Sequence, residues 1–200
     1  MTPELPETLR VALQVTAVFD ELGIAYHLDG SFASSIHGVP RQTQDVDMVV
    51  AMTAETAVAL ASRLAGVFHA DSESARRAVH EHGSFNLIHR DSGIKVDLFI
   101  RGDAPFDHEE FRRHRSELVQ RDPERRVFVK TAEDILLRKL QWYRLGGEVS
   151  DRQWSDILGI VRVQGERLDR EHLRRWAEEL RTTDLLDRAL GSATGEPGGS

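Results

Sequence analysis

The chain has 200 residues, 40% of them hydrophobic and 30% charged, with 26 lysines and arginines against 33 aspartates and glutamates for a formal charge of −7. This composition suffices for one sizeable core, or a core with a helical annex, and it excludes an intrinsically disordered chain and argues against a broad electrostatic footprint for nucleic acid. Cysteine is absent, which excludes disulfides, thiolate metal sites and cysteine nucleophiles together and leaves oxygen or imidazole to hold any metal. No apolar run approaches the roughly 20 residues that span a bilayer. The first residues, MTPELPETLR, lack the basic start and apolar core of a signal peptide, so a cytoplasmic protein without membrane contact is expected.

In chain order, residues 6–22 carry Leu9, Leu13, Val18 and Leu22 near helical spacing and stop at Gly23. IAYHL follows as a short strand, and GSFASSIHG as a short helix entered at a Gly-Ser turn and closed by Gly38. DVDMVVA reads as a second strand and Ala54 to Leu64 as a helix packed on the sheet, whereas SESARRAVHEHG reads helical and polar. FNLIHR and IKVDLFI, separated by Asp91, Ser92 and Gly93, have the signature of a hairpin. VFVK at 127–130 is a further short strand. After Lys130 the pattern becomes helical: Thr131 to Asp134 and Ser150 to Gln153 fit a capping box or a close variant, and Asp169 and Thr182 or Thr183 are caps for two more helices. The expected architecture is α+β, a mixed-sheet domain over residues 1–130 followed by a helical domain over 131–190 and a glycine-rich, disordered tail over 191–200.

Two aspartates interrupt the apolar run DVDMVV. Strand side chains alternate, so Asp45 and Asp47 share one face while Val46, Met48 and Val50 pack on the other. Like charges placed so closely on a half-buried sheet cost several kcal/mol, on the order of the burial of an unpaired ion, unless a cation or hydrogen-bond donors compensate. In IKVDLFI, Asp97 likewise faces away from Val96, Leu98 and Ile100, beside Lys95. If the two strands are neighbours, three carboxylates converge, and an oxygen-only cluster of that kind suits Mg²⁺ or Mn²⁺. An isolated D-x-D is most often an exposed strand edge or a turn. Here the Gly30-Ser31 turn, with its free N–H groups and a hydroxyl, precedes the pair, with thirteen residues separating Ser31 from Asp45.

The set Gly30, Ser31, Asp45, Asp47 and Asp97, with the phrases HGVPRQTQDVDMVV and KTAEDILLRKLQWYRLGGEVSDRQWSDILGI, resembles the nucleotidyltransferase superfamily with the DNA polymerase beta-like fold. Within it the likeness is to small bacterial AbiEii-type proteins and relatives of the aminoglycoside nucleotidyltransferases, and it covers residues 25–160. The resemblance implies transfer of a nucleoside monophosphate from an NTP to a hydroxyl acceptor, with Asp45, Asp47 and Asp97 as catalytic and metal-binding residues and Mg²⁺ or Mn²⁺ as cofactor. Gly30, Ser31, Arg41 and Lys139 would be nucleotide-binding residues. Ser31 could instead cap the short helix, Arg41 could be an exposed loop residue, and Lys139 could only lay its stem along the apolar stripe of Ala132, Leu136, Leu140 and Tyr143. On that border position, removing Lys139 should cost little stability.

Other constellations carry less. His37 before Gly38 suits a helix end, Thr43 a turn or strand, and Asp156 an ion pair with Arg152; Trp142 and Trp154 suit packing between helices. His80 and His82 lie in a polar helix, Ser34, Ser35 and His37 lack a G-x-S-x-G elbow, and Gly30-Ser31 is no Walker A loop. Two alternatives to an enzyme remain: a non-catalytic protein that works through a toxin–antitoxin-like partner, and a domain that senses NTP without transferring it. The acceptor has no readable code among small molecules, tRNA and proteins, although net acidity favours a cationic small molecule over tRNA.

Overall fold

The computed structural model describes residues 5–39 and 44–194. These fall into two compact units, one formed by residues up to 32 and from 44 to 130, the other by 33–39 and 131–194. Arg41 and Thr43 lie outside the described residues.

The first unit is α+β. In chain order it holds α1 (Glu7–Leu22), β1 (Ala25–Asp29), the first turn of α2 (Gly30–His37), β2 (Asp45–Ala51), α3 (Ala54–Leu64), β3 (Phe68–Ala70) and α4 (Ser72–Glu81). After these come β4 (Ser84–His89), β5 (Lys95–Ile100), α5 (Pro105–Arg113), β6 (Arg115–Arg121) and β7 (Glu124–Val129). The seven strands form one sheet in the order β3-β4-β5-β2-β1-β7-β6. It is mixed: β2 runs parallel to β5 and β1 to β7, and the other neighbours are antiparallel.

Alternation builds the core. Val46, Met48 and Val50 of β2, Val96, Leu98 and Ile100 of β5, and Phe85 and Leu87 of β4 are all buried. In α3, Ala57, Leu60, Ala61 and Leu64 recur at i, i+3, i+4 and i+7 and are buried as one stripe. Each such leucine contributes about 1.5–3 kcal/mol by leaving water. Thr53 and Thr56 start this helix with a reciprocal capping box, and Asp71 caps α4 by accepting from the N–H groups of Glu73 and Ser74. Gly23, at φ 67, ends α1 in the left-handed conformation that glycine takes without strain. On the other face of the sheet, the Phe111 ring of α5 lies 5.3 Å from the His27 ring of β1.

The second unit joins the remainder of α2 to α6 (Ala132–Leu145), α7 (Asp151–Gln164), α8 (Arg170–Glu179) and α9 (Thr183–Thr194). Thr131, Ser150 and Asp169 cap the first three by accepting from Asp134, Gln153 and His172 N–H. Asp134 is fully buried, receives the Thr131 hydroxyl at 2.6 Å and lies 2.7 Å from His172 Nε2, so one carboxylate ties the start of α6 to α8. A methyl group on Gly38 would lie 3.1 Å from the Ile160 nitrogen, so a side chain here would push this loop and α7 apart by a few tenths of an ångström. Trp154 packs on the Tyr143 ring at 5.2 Å and under the Arg188 guanidinium, whereas Trp142 is largely exposed.

The tail needs a correction. α9 runs through Thr194, so 191–194 continue the helix, with Ser192 Oγ donating to Arg188 O at 2.8 Å; the rest of the tail lies outside the described residues. Strands β3 and β6 and helix α5 are additions to the elements expected from the sequence. Among the described residues no helix is long and apolar enough to cross a membrane.

Candidate functional site

The parallel pairing of β2 with β5 puts Asp47 opposite Asp97 and Asp45 opposite Lys95. The antiparallel pairing of β1 with β2 puts Asp29 opposite Asp47, and β4 puts Asn86 opposite Asp97. Paired residues on adjacent strands share a face at a strand spacing of about 4.8 Å, so Asn86, Asp97, Asp47 and Asp29 form a polar row across the sheet. Asp45 lies on the same face of β2, two residues before Asp47 and exposed. The structure therefore brings Asp45, Asp47 and Asp97 together.

Gly30 and Ser31 begin α2 directly after β1. Gly30 has φ +60, and a Cβ there would lie 1.9 Å from Asp47 Oδ2. The turn and the carboxylate thus touch, and the Ser31 backbone N–H donates to Asp47. Gly30→Ala should keep the fold at a stability cost of about 1–2 kcal/mol for the left-handed backbone. The added methyl must also displace the Asp47 carboxylate. A thermal melt and a titration with Mg²⁺ and nucleotide check this, and an alanine variant indistinguishable from the parent in both would refute the contact.

Burial pushes the Asp47 carboxyl above the usual range, and the negative charges of Asp29, Asp97 and Asp45 push it further; only the Ser31 N–H opposes them. Asp97 receives the Lys95 ammonium at 2.8 Å, and this bond raises the Lys95 pKa. Asp29, which the sequence reading passed over, is buried and receives the Lys130 ammonium at 2.6 Å. Burial would raise the Asp29 carboxyl, but Lys130 outweighs it, with the Gly30 N–H assisting, and holds it at about 2. Burial, followed by the charge on Lys130, lowers the neighbouring His27 to about 3 and leaves its imidazole neutral. The available signal was the one used for DVD, a charged residue at the end of an apolar strand: LD before Gly30, and the lysine of VFVK.

The donor set suits a hard divalent ion: the groups are carboxylates, crowded enough that Asp47 resists ionisation. Among the described residues no group of three or more His, Asp or Glu side chains is arranged to hold a metal ion. Mg²⁺ is usually held by one or two carboxylates together with water and substrate phosphates rather than by an all-protein cage, and an Asp47–Asp97 pair at strand spacing answers that need.

No protein-family model matches the sequence, and no curated protein matches it. Among solved structures, an antigenic nucleotidyltransferase-like protein from Paracoccidioides brasiliensis superimposes with a TM-score of 0.53 at 18% identity, covering 95% of each chain. The fold is that of the nucleotidyltransferase-like proteins. The antibiotic-resistance factor ANT(2'')-Ia has a TM-score of 0.50 at 14% identity over 94% of this chain and 99% of its own.

Of the residues expected to serve a nucleotidyltransferase site, Gly30, Ser31, Asp45, Asp47 and Asp97 belong to the first unit and Lys139 to the second. Lys139 is buried on α6 and its ammonium lies 2.8 Å from Asp156 of α7. Asp156, expected to pair with Arg152, contacts Lys139. Lys139 is buried, not at the border of the apolar face. Its helix is buried almost all round from Ala132 to Leu137, and a charged side chain in that setting is held by its counter-ion. His80 lies in the last turn of α4, and His82 lies 3.6 Å from Asp103.

Proposed function

We propose that the chain is a cytoplasmic nucleotidyltransferase that moves a nucleoside monophosphate from an NTP to an acceptor hydroxyl. The observation that carries this reading is the contact of the Gly30-Ser31 turn with Asp47, itself the cross-strand neighbour of Asp97. A phosphate-accepting turn and a carboxylate pair then lie side by side in a nucleotidyltransferase-like fold. A Mg²⁺ or Mn²⁺ ion held by Asp47 and Asp97, with Asp45 two residues away on the same face, would supply the positive charge that a triphosphate needs beside these carboxylates. Gly30 lets the backbone approach the phosphates, and the Ser31 hydroxyl donates to a β- or γ-phosphate oxygen. Asp97 accepts the proton of the acceptor hydroxyl, whose oxygen attacks the α-phosphorus in line. The α–β anhydride bond breaks, and pyrophosphate leaves with the electron pair. Lys95 holds the Asp97 carboxylate in place for that proton transfer.

For the acceptor we propose a cationic small molecule, in keeping with the formal charge of −7 and with the likeness to a protein named as an antibiotic-resistance factor. Incubating the protein and Mg²⁺ with each NTP labelled at the α-phosphate, against aminoglycosides, tRNA and cell lysate, tests both statements. Label should enter an aminoglycoside and should not do so with Asp97→Asn. Label in tRNA would move the acceptor, and nucleotide that neither binds nor transfers would end the reading.

The 2.8 Å Lys95–Asp97 pair favours one second reading, a domain that binds NTP without transferring it, because the lysine already neutralises the carboxylate that would take the proton. Tight NTP binding without turnover for any acceptor, restored to turnover by Lys95→Ala, would select it.

A further inference from the structure

The mechanism leaves unused a buried cluster of three charges behind the carboxylate row. Lys130, the residue after β7, donates from Nζ to Asp29 Oδ2 at 2.6 Å and lies 3.1 Å from Glu110 Oε2 of α5. The three side chains are 1%, 7% and 5% exposed. Two carboxylates of the cluster contact the one ammonium, beside an Asp47 already crowded by negative charge. Stability does not explain the cluster, since three apolar residues of similar volume would pack there at no greater cost.

What the cluster does hold is the turn. The other oxygen of Asp29, Oδ1, accepts the Gly30 N–H at 2.7 Å. Gly30 lies against the Asp47 carboxylate so closely that a Cβ would overlap Oδ2, and the next N–H, that of Ser31, donates to Asp47. The contacts form an unbroken chain: Lys130 to Asp29, Asp29 to Gly30, and Gly30 and Ser31 to Asp47. The Lys130 N–H also donates to Leu28 O at 3.1 Å, which fixes the start of its side chain on β1 itself.

We infer that Asp29 and Lys130 are positioning residues that lock the left-handed Gly30-Ser31 turn and, through it, set the orientation of the Asp47 carboxylate. The inference rests on the proposed nucleotidyl transfer only for what Asp47 then binds; the locking belongs to the fold alone. Asp29 has one oxygen committed to an ammonium and the other to a backbone donor, so it cannot rotate without breaking a charge-assisted bond. The turn inherits that rigidity.

The test compares two triple variants that both remove all three buried charges. Asp29→Asn/Glu110→Gln/Lys130→Met keeps an amide oxygen for the Gly30 N–H, and Asp29→Leu/Glu110→Gln/Lys130→Met removes it. Two readouts are taken on the full chain: amide hydrogen exchange at Gly30 and Ser31 by NMR, and titration with Mg²⁺ and each of the four NTPs. In the leucine variant both amides should exchange roughly tenfold faster or more, and nucleotide affinity should fall by about the same factor, as expected for the loss of one charge-assisted bond. The asparagine variant keeps the acceptor but loses the ammonium that fixes it, and should fall between the parent and the leucine variant in both. Leucine and asparagine variants that exchange and bind alike would overturn the inference. Should the leucine variant fail to fold, Lys130→Arg is read instead: it keeps the charge but moves the donor, and unchanged exchange at Gly30 with unchanged affinity overturns the inference equally. A parent chain that binds no nucleotide would sink the nucleotidyltransferase reading, while exchange at Gly30 would still decide the positioning role.

Discussion

Asp47→Asn should abolish metal-dependent nucleotide transfer while leaving the free protein as stable as the parent or more so. A bound divalent ion is worth several kcal/mol to a phosphoryl-transfer transition state. Losing the central carboxylate of the row should therefore lower transfer about a hundredfold or more. The stability effect has the opposite sign. Burial first, and then Asp29, Asp97 and Asp45, raise the folded-state pKa of Asp47 above the 3.8 of an ordinary aspartate. Its charged form is thus disfavoured in the folded chain, and the penalty is fully present above the raised pKa and gone below 3.8. The asparagine variant should gain its advantage at neutral pH and lose it in acid. Asp29 works the other way. Its carboxyl is held at about 2, so its stabilisation is full above 3.8 and is lost as pH falls toward 2; one pKa unit is about 1.4 kcal/mol, which makes it a contribution on the order of 2 kcal/mol. Melting curves of parent and Asp47→Asn between pH 7 and 3, with transfer assays at pH 7, read the Asp47 effects. An Asp47→Asn protein that melts clearly lower at pH 7 and still transfers nucleotide would make the carboxylate structural.

Lys139→Ala should destabilise the protein by about 3–5 kcal/mol, the usual consequence of breaking a buried ion pair by removing one partner. Its ammonium is 2.8 Å from Asp156 Oδ2, and the two side chains are 7% and 12% exposed. Removal takes the ammonium away from a buried carboxylate between α6 and α7. The double variant Lys139→Met/Asp156→Asn removes both charges of the pair and fills the space of the lysine stem, so it should recover most of the loss. Urea denaturation of the full chain measures each. A Lys139→Ala midpoint equal to that of the parent would show the pair to be solvated and energetically idle.

The carboxylate row was legible because strand alternation turns spacing into direction: DVDMVV and IKVDLFI each reveal one wet face, and only the adjacency of the two strands had to be supplied by the fold. Helix starts were legible through Thr131, Ser150 and Asp169, whose side chains act within three residues. What escaped depended on distance or on context. Lys130 and Asp29 are 101 residues apart, and no local rule connects them. The edge strand β6, RSELVQR, pairs on one side only and is mostly exposed, so its alternation is masked by charge. α5, PFDHEEFRR, buries only Phe106, Glu110 and Phe111, too few apolar positions to announce a helix. Lys139 is buried because its counter-ion comes from α7, seventeen residues further on, and no local rule connects the two.

The long separation between Asp29 and Lys130 gives the site an order of assembly during synthesis. A ribosome adds about 5–20 residues per second, and β1 and β2 can pair once Ala51 has emerged. The ammonium that Asp29 needs is made 101 residues after it, at the end of the β6–β7 hairpin. A nascent chain stalled before Lys130 therefore carries the aspartates and the glycine turn but no latch for them. Locking of the Gly30-Ser31 turn against Asp47 is then a late event in the life of the polypeptide, reached when the hairpin docks on β1, and on the proposed function fragments released before that point should be inert even where their sheet has begun to form.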